Sequence, residues 1–206
     1  MRSVTAECGG SRAWPVVALG AAMALAPARL FAHVQAGEAA GFVTGALHPV
    51  SGLDHVLAMI AVGIWGAQLG QPAIWMLPVI FPMVMAFGGM LGLMGIALPG
   101  VEIGIALSAL VLGVMIVREA RPPLWVAGVV VGLFAVFHGH AHGTELPEGQ
   151  SGLMYSMGFV MVTGCLHACG IALGLIHRWP AGRWVLRLAG GLIAVAGLVF
   201  LWQAVA

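Results

Sequence analysis

Long apolar runs separated by short polar breaks dominate the chain. Six of them beyond residue 32 approach the length of a membrane-spanning helix: Gly52–Leu69, Ala73–Leu98, Val101–Val117, Pro123–Leu146, Gly152–Ile176 and Trp184–Ala204. A span of helix needs about 20 mainly apolar residues. Gln71-Pro72, Pro99-Gly100, Arg121-Pro122-Pro123 and Trp179-Pro180-Ala181-Gly182 mark the breaks between runs, since proline and glycine interrupt regular structure. The pattern predicts an all-α, polytopic membrane helical bundle of about six transmembrane helices, forming one domain over residues 33–206. Pro78 and Pro82 should kink the second span. The four-residue spacings Gly88/Gly92 and Gly170/Gly174 favour close helix packing.

Composition strengthens this reading. Hydrophobic residues make up 61% of the 206 positions and charged residues only 7%, against about 25% charged in a soluble domain. Lysine is absent and the formal net charge is +1, so the basic footprint that nucleic-acid binding requires is missing. Residues 1–32 have the form of a secretory signal peptide. Arg2 and Arg12 give a positive start, Ala13 to Ala26 a short apolar core, and cleavage fits after Ala28 or Ala32. An uncleaved first helix is the alternative.

Charge also predicts orientation. With a signal peptide removed, the mature N-terminus lies outside and the loops near 70–72, 118–122 and 177–183 face the cytoplasm. Arg118, Arg121, Arg178, Arg183 and Arg187 all lie in or beside the last two of these loops, the positive-inside pattern. The same count puts Glu38, Asp54, Glu102, Glu145 and Glu148 outside and Glu119 inside.

Two motifs on the outer side carry the candidate chemistry. The first, His48-Pro-Val-Ser-Gly-Leu-Asp54-His55, contains the only aspartate of the chain. A charged side chain at the centre of a spanning helix costs on the order of 3 kcal/mol, and such residues are usually paired or functional. A bound cation is one compensation. Pro49 disfavours helix at His48 and Ser51-Gly52 loosens the next turn, so a broken or re-entrant start to the first span is expected. The second motif is His138-Gly-His140-Ala-His142-Gly-Thr-Glu145. His138, His142 and Glu145 fall at i, i+4 and i+7, one face of a helix that Pro147 would stop. His140 points elsewhere, as a mouth residue that captures ions or as a solvated one. A lone buried histidine commonly satisfies a hydrogen bond, and a polar loop is the bland alternative for the second motif. Imidazole nitrogens with carboxylate oxygens suit Ni²⁺, Co²⁺, Zn²⁺ or Fe²⁺ rather than soft Cu⁺.

Deeper in the bilayer the fifth span carries Cys165, His167 and Cys169. The two cysteines share a face, and small buried cysteines usually pack. His167, ionisable at the midplane, is a candidate ion or proton relay. Met154, Met157 and Met161 form a helical stripe best read as core filling.

These residues resemble the HupE/UreJ family of nickel and cobalt permeases. The resemblance rests on His48-Pro49-x-x-Gly52-x-Asp54-His55, on Phe137-His138-Gly139-x-Ala141-His142-Gly143-x-Glu145 and on Leu166-His167-x-x-Gly170. It implies secondary uptake of Ni²⁺, and of Co²⁺ in some members, across the bacterial inner membrane, for hydrogenase or urease maturation. His48, Asp54, His55, His138, His142 and Glu145 would be the ion-binding positions. His33 would correspond to the first residue of the mature protein, whose α-amine and ring would chelate a metal after cleavage at Ala32. His140 and His167 are secondary candidates. No prosthetic group is implied; the metal is cargo, and the partners would be the lipid bilayer and cytoplasmic metallochaperones. The residues alone leave two other classes open, an intramembrane metal-dependent enzyme and a metal sensor or chaperone partner without flux.

Overall fold

The structure, a computed structural model, describes residues 36–145 and 151–206. The predicted signal peptide, His33, Leu146 and Glu148 lie outside the described residues. All regular elements among the described residues are helical: α1 (Ala36–Ser51), α2 (Leu53–Leu69), α3 (Ala73–Leu93), α4 (Val101–Val117), α5 (Leu124–Thr144), α6 (Gly152–Gly174) followed by a 3₁₀ turn (Leu175–Arg178), and α7 (Pro180–Val205).

Four helical segments are long and apolar enough to cross a membrane: Ala73–Leu93, Leu124–Thr144, Gly152–Arg178 and Pro180–Val205. The pair α1 and α2 adds a fifth if counted as one span, bent by 81°. Helix α4, with 17 residues, is at the lower limit of a spanning length. The sequence pattern placed helix only from Gly52 onward. A preceding helix, α1, runs through Pro49 and ends at Ser51. The chain turns at Gly52, which is extended at φ −109°, ψ 121°. The broken start expected of the first span is therefore two helices meeting at Gly52, one residue from Asp54. The last helix also differs from expectation. Pro180, read as part of a break, opens α7 at its first turn, where a missing N–H costs nothing.

Many large apolar side chains face outward, although others, such as Trp65, Phe81 and Leu77, fill the core. Trp125, Leu153, Trp184, Leu188 and Trp202 are more than two-thirds exposed, as expected when the solvent is hydrocarbon. What holds the helices is close backbone approach at glycines. A Cβ on Gly88 would collide with the Val136 carbonyl, one on Gly139 with the Met85 carbonyl and one on Gly143 with the Gly89 carbonyl, which seats α3 against α5. Gly63 meets the His167 carbonyl and Gly170 the Ile60 carbonyl, seating α2 on α6. Gly113, Gly190 and Gly197 do the same for α4 and α7, and Gly45 and Gly158 for α1 and α6.

The two ends of the bundle differ. At one end Trp65 Nε1 donates to the Ala120 carbonyl at 3.0 Å, Gln68 Nε2 donates to the Ile116 carbonyl at 3.3 Å, and Arg187 pairs with Glu119 at 3.1 Å. These contacts gather the arginine-bearing connections, and Trp125, Trp179 and Trp184 sit at the helix starts beside them. Interfacial tryptophan beside arginine is the pattern of a membrane surface. The other end carries both histidine motifs.

Replacing Gly88 by Val should lower the unfolding midpoint in detergent by an amount equivalent to about 1–3 kcal/mol, the usual cost of overpacking. Gly164, which has nothing within 4 Å of an added Cβ, should accept Ala with a change under about 0.5 kcal/mol. Thermal unfolding of the purified variants checks both.

Candidate metal centre

The 81° bend turns α1 back toward the end of α5 and brings the two motifs together. His48, in the last turn of α1, donates from Nε2 to Glu145 Oε2 at 3.0 Å across 97 residues. His142 of the second motif reaches both histidines of the first, its ring centroid 4.6 Å from that of His48 and 4.5 Å from that of His55. His55 and His138 meet edge to face at 4.9 Å. Ligand atoms of His48, His142 and Glu145 all lie within 4.8 Å of one another, close enough to hold a metal ion.

Hydrogen bonding fixes which nitrogens point into this cluster. Asp54 Oδ1 accepts from the His55 backbone N–H at 2.9 Å and from His55 Nδ1 at 2.8 Å. The proton therefore sits on Nδ1, and His55 Nε2, buried and without a hydrogen-bond partner, presents its lone pair. His138 repeats the arrangement: Nδ1 donates to the Phe134 carbonyl at 3.0 Å and Nε2 is buried and unpartnered. Anchoring one ring nitrogen to orient the other is how proteins prepare histidine for metal. His142 has no partner at either nitrogen. An unsatisfied buried polar group costs about 1–3 kcal/mol, so three imidazoles with open nitrogens in one place, each offering one lone pair, call for a ligand that accepts them. The donor set of neutral imidazoles with one carboxylate fits a borderline divalent transition metal.

The six first-rank sequence candidates thus occupy one region, with unequal positions. Asp54 turns an oxygen to His55 rather than into the middle. Glu145, at the C-cap of α5, is the outermost, with 59% of its side chain exposed. His140 stands apart. It is buried rather than at a mouth or in solvent, and its Nε2 donates to the Ile96 carbonyl at 2.7 Å, tying α5 to the turn after α3. His167 lies deeper in α6, 2% exposed and unpartnered at both nitrogens. Cys165 and Cys169 are free thiols on the exposed face of α6, away from the buried side of that helix. Their expected packing role inside the core is not what the structure shows.

Sequence reasoning missed the aromatic walls. Phe159 contacts His142 at 4.4 Å between centroids, Tyr155 contacts His48 at 5.7 Å, and Phe81 contacts His138 at 5.4 Å. Tyr155 and Phe159 are one helical turn apart on α6, but so are many core pairs, and only the fold shows which histidines they face. A cavity of ≈ 320 Å³ adjoins the cluster, with Met90, His142, Tyr155 and Phe159 in its wall.

The profile of the HupE / UreJ protein family matches residues 21–200. The chain belongs to the HupE/UreJ family. Protein HupE of Rhizobium leguminosarum bv. viciae is 48% identical over 181 residues, covering 88% of this chain and 94% of that protein. No solved structure matches. Membership in a family of nickel and cobalt permeases places this HupE/UreJ chain, in general terms, among membrane metal transporters.

His140→Ala should destabilise the metal-free protein by about 1–3 kcal/mol, through loss of a buried hydrogen bond, yet leave the metal-induced rise of its unfolding midpoint intact. Parallel melts with and without added Ni²⁺ separate the two effects.

Proposed function

We propose that this protein imports Ni²⁺, and Co²⁺ with it, across the bacterial inner membrane, and that the histidine cluster is the outward-facing capture site. The observation that supports this most directly is the set of buried imidazole nitrogens whose lone pairs have no protein partner, at the end of the bundle opposite the arginines. By the positive-inside rule the arginine end faces the cytoplasm, which makes the cluster periplasmic.

In this reading Glu145 and His48 meet the ion first. The carboxylate attracts the hydrated cation, and His48 gives up its hydrogen bond to Glu145 as both turn to the metal. His142, His55 and His138 then replace water molecules in succession. Asp54 keeps Nδ1 of His55 protonated, so that Nε2 is the ligand, and its charge offsets that of the ion. Histidines supply preference for nickel and cobalt over magnesium and calcium, which favour oxygen. Permeation requires binding tight enough for capture and weak enough for release. The ion leaves inward, between α2, α3 and α6, toward His167. Cytoplasmic capture by metallochaperones serving hydrogenase or urease would keep the gradient inward.

Radioactive nickel uptake by cells lacking their own nickel importers tests this at matched membrane levels of each variant. Wild type should accumulate Ni²⁺ above empty vector, with Co²⁺ competing. His142→Ala should fall to background. Asp54→Asn should lose about 10–100-fold in affinity, the usual effect of removing the group that orients a metal-ligating histidine. Wild-type uptake equal to that of empty vector, with metal binding intact, would refute the permease reading.

A further inference from the structure

Below the cluster the buried polar atoms do not end. On α6, Thr163 and His167 stand one turn apart, 0% and 2% exposed, and neither the Thr163 hydroxyl nor either nitrogen of His167 has a hydrogen-bond partner. They share a helix face by their spacing. Gly63 of α2 touches the His167 carbonyl, so two helix backbones clamp this point and His167 has little freedom to move away.

Helix α3 contributes a third group. It carries proline at 78 and 82. Pro82 has no N–H, so the carbonyl of Pro78, four residues earlier, has no helical donor. That carbonyl lies near His167 without closing a hydrogen bond. The proline pair lies within one helix, Ala73–Leu93, and leaves a carbonyl dipole without its helical donor. Unsatisfied carbonyls inside a membrane occur where backbone lines an ion path.

One side chain touches both this place and the outer cluster. The ring of Phe81, 0% exposed, lies 5.4 Å from the ring of His138 and 5.4 Å from that of His167, edge to face with both.

We propose that His167 and Thr163, with the Pro78 carbonyl, form a second and weaker binding site for the same divalent transition-metal ion, and that Phe81 is the partition between it and the outer cluster. The set has one imidazole nitrogen and two neutral oxygens, with no carboxylate, so it holds the ion loosely. That suits a site from which the ion departs. A rotation of the Phe81 ring opens the way from His138 to His167, and apolar constrictions of this kind gate without any charged group. The role in transit rests on the permease reading above; the existence of the site does not.

The test is metal binding first and flux second. Purified full-length protein in detergent is titrated with Ni²⁺ by equilibrium dialysis and with Co²⁺ by its visible absorption. Wild type should show a tight and a weak class of site. The triple variant His48→Ala, His142→Ala, Glu145→Gln should lose the tight class and keep the weak one. Adding His167→Gln, or the isosteric Thr163→Val, should weaken the remaining class by about tenfold or more, as loss of a ligand does. Phe81→Leu should speed filling of the weak class several-fold in stopped-flow mixing, and an unchanged filling rate removes Phe81 as the partition. The proposal is overturned if the triple variant binds no metal while still eluting as a folded monodisperse species. It is equally overturned if its residual affinity is the same with His167→Gln and with Thr163→Val. In proteoliposomes, His167→Gln should pass Ni²⁺ far more slowly than wild type; an unchanged rate removes the site from the path. Two classes of site in a wild type that passes no Ni²⁺ would support the inner site and count against the permease reading alone.

Discussion

The arrangement depends on helices approaching to backbone contact. In hydrocarbon there is no gain from hiding a leucine, so association comes from close packing and from polar groups that find each other. Gly139 and Gly143 let α5 rest on Met85 and Gly89 of α3, and the histidines between and beside them are aimed by that contact. With the glycines fixed against α3, His138 and His142 take the neighbouring face toward α1, α2 and α6, and His140 takes a third face toward Ile96. Alternation of glycine and histidine in the second motif is therefore a division of labour around one helix. Small residues dock it and imidazoles on separate faces bind or brace.

The same contact principle places the other half of the cluster. Gly45 and Gly158 join α1 to α6, and Gly63 and Gly170 join α2 to α6. Because α1 and α2 meet at 81°, His48 and His55 are not on the one face that a continuous helix with seven-residue spacing would give them. They approach His142 from two directions. A cage around a cation needs ligands from several sides, and the bend at Gly52 supplies that where a straight helix would not. Asp54, at the start of α2, holds His55 through both backbone and ring, so the bend and the orienting bond are formed by neighbouring residues.

Polar atoms left open in such a setting are costly, because no water in the surrounding hydrocarbon can satisfy them. Those of His55, His138, His142, Thr163 and His167 are retained within an otherwise close-packed bundle. A helical protein needing only stability would fill these positions with Leu or Phe, as it does at Leu77 and Phe81 on α3. Stability is given up along one line through the molecule, at the places where an ion would bring compensation.

Much of this was written in the chain. Long apolar runs fixed a helical membrane architecture, because backbone groups in lipid must be satisfied within the segment. Spacing put His138 and His142 on one helical face, and the separation of arginine from both histidine motifs put those motifs at one end. Local signals were less decisive where two effects compete. Pro49 and three glycines between positions 41 and 52 hid α1, whose helix survives because tertiary packing against α6 outweighs weak propensity. Pro180 read as a breaker and is a helix start. Tertiary structure alone decided the 81° turn, the pairing of His48 with Glu145 over 97 residues, the separation of His140 from the cluster, and the contact of Phe81 with two histidines. Periodicity reports which face of a helix is polar. It carries no information on which helix that face will meet, because that depends on backbone contacts at glycines whose partners are tens of residues away.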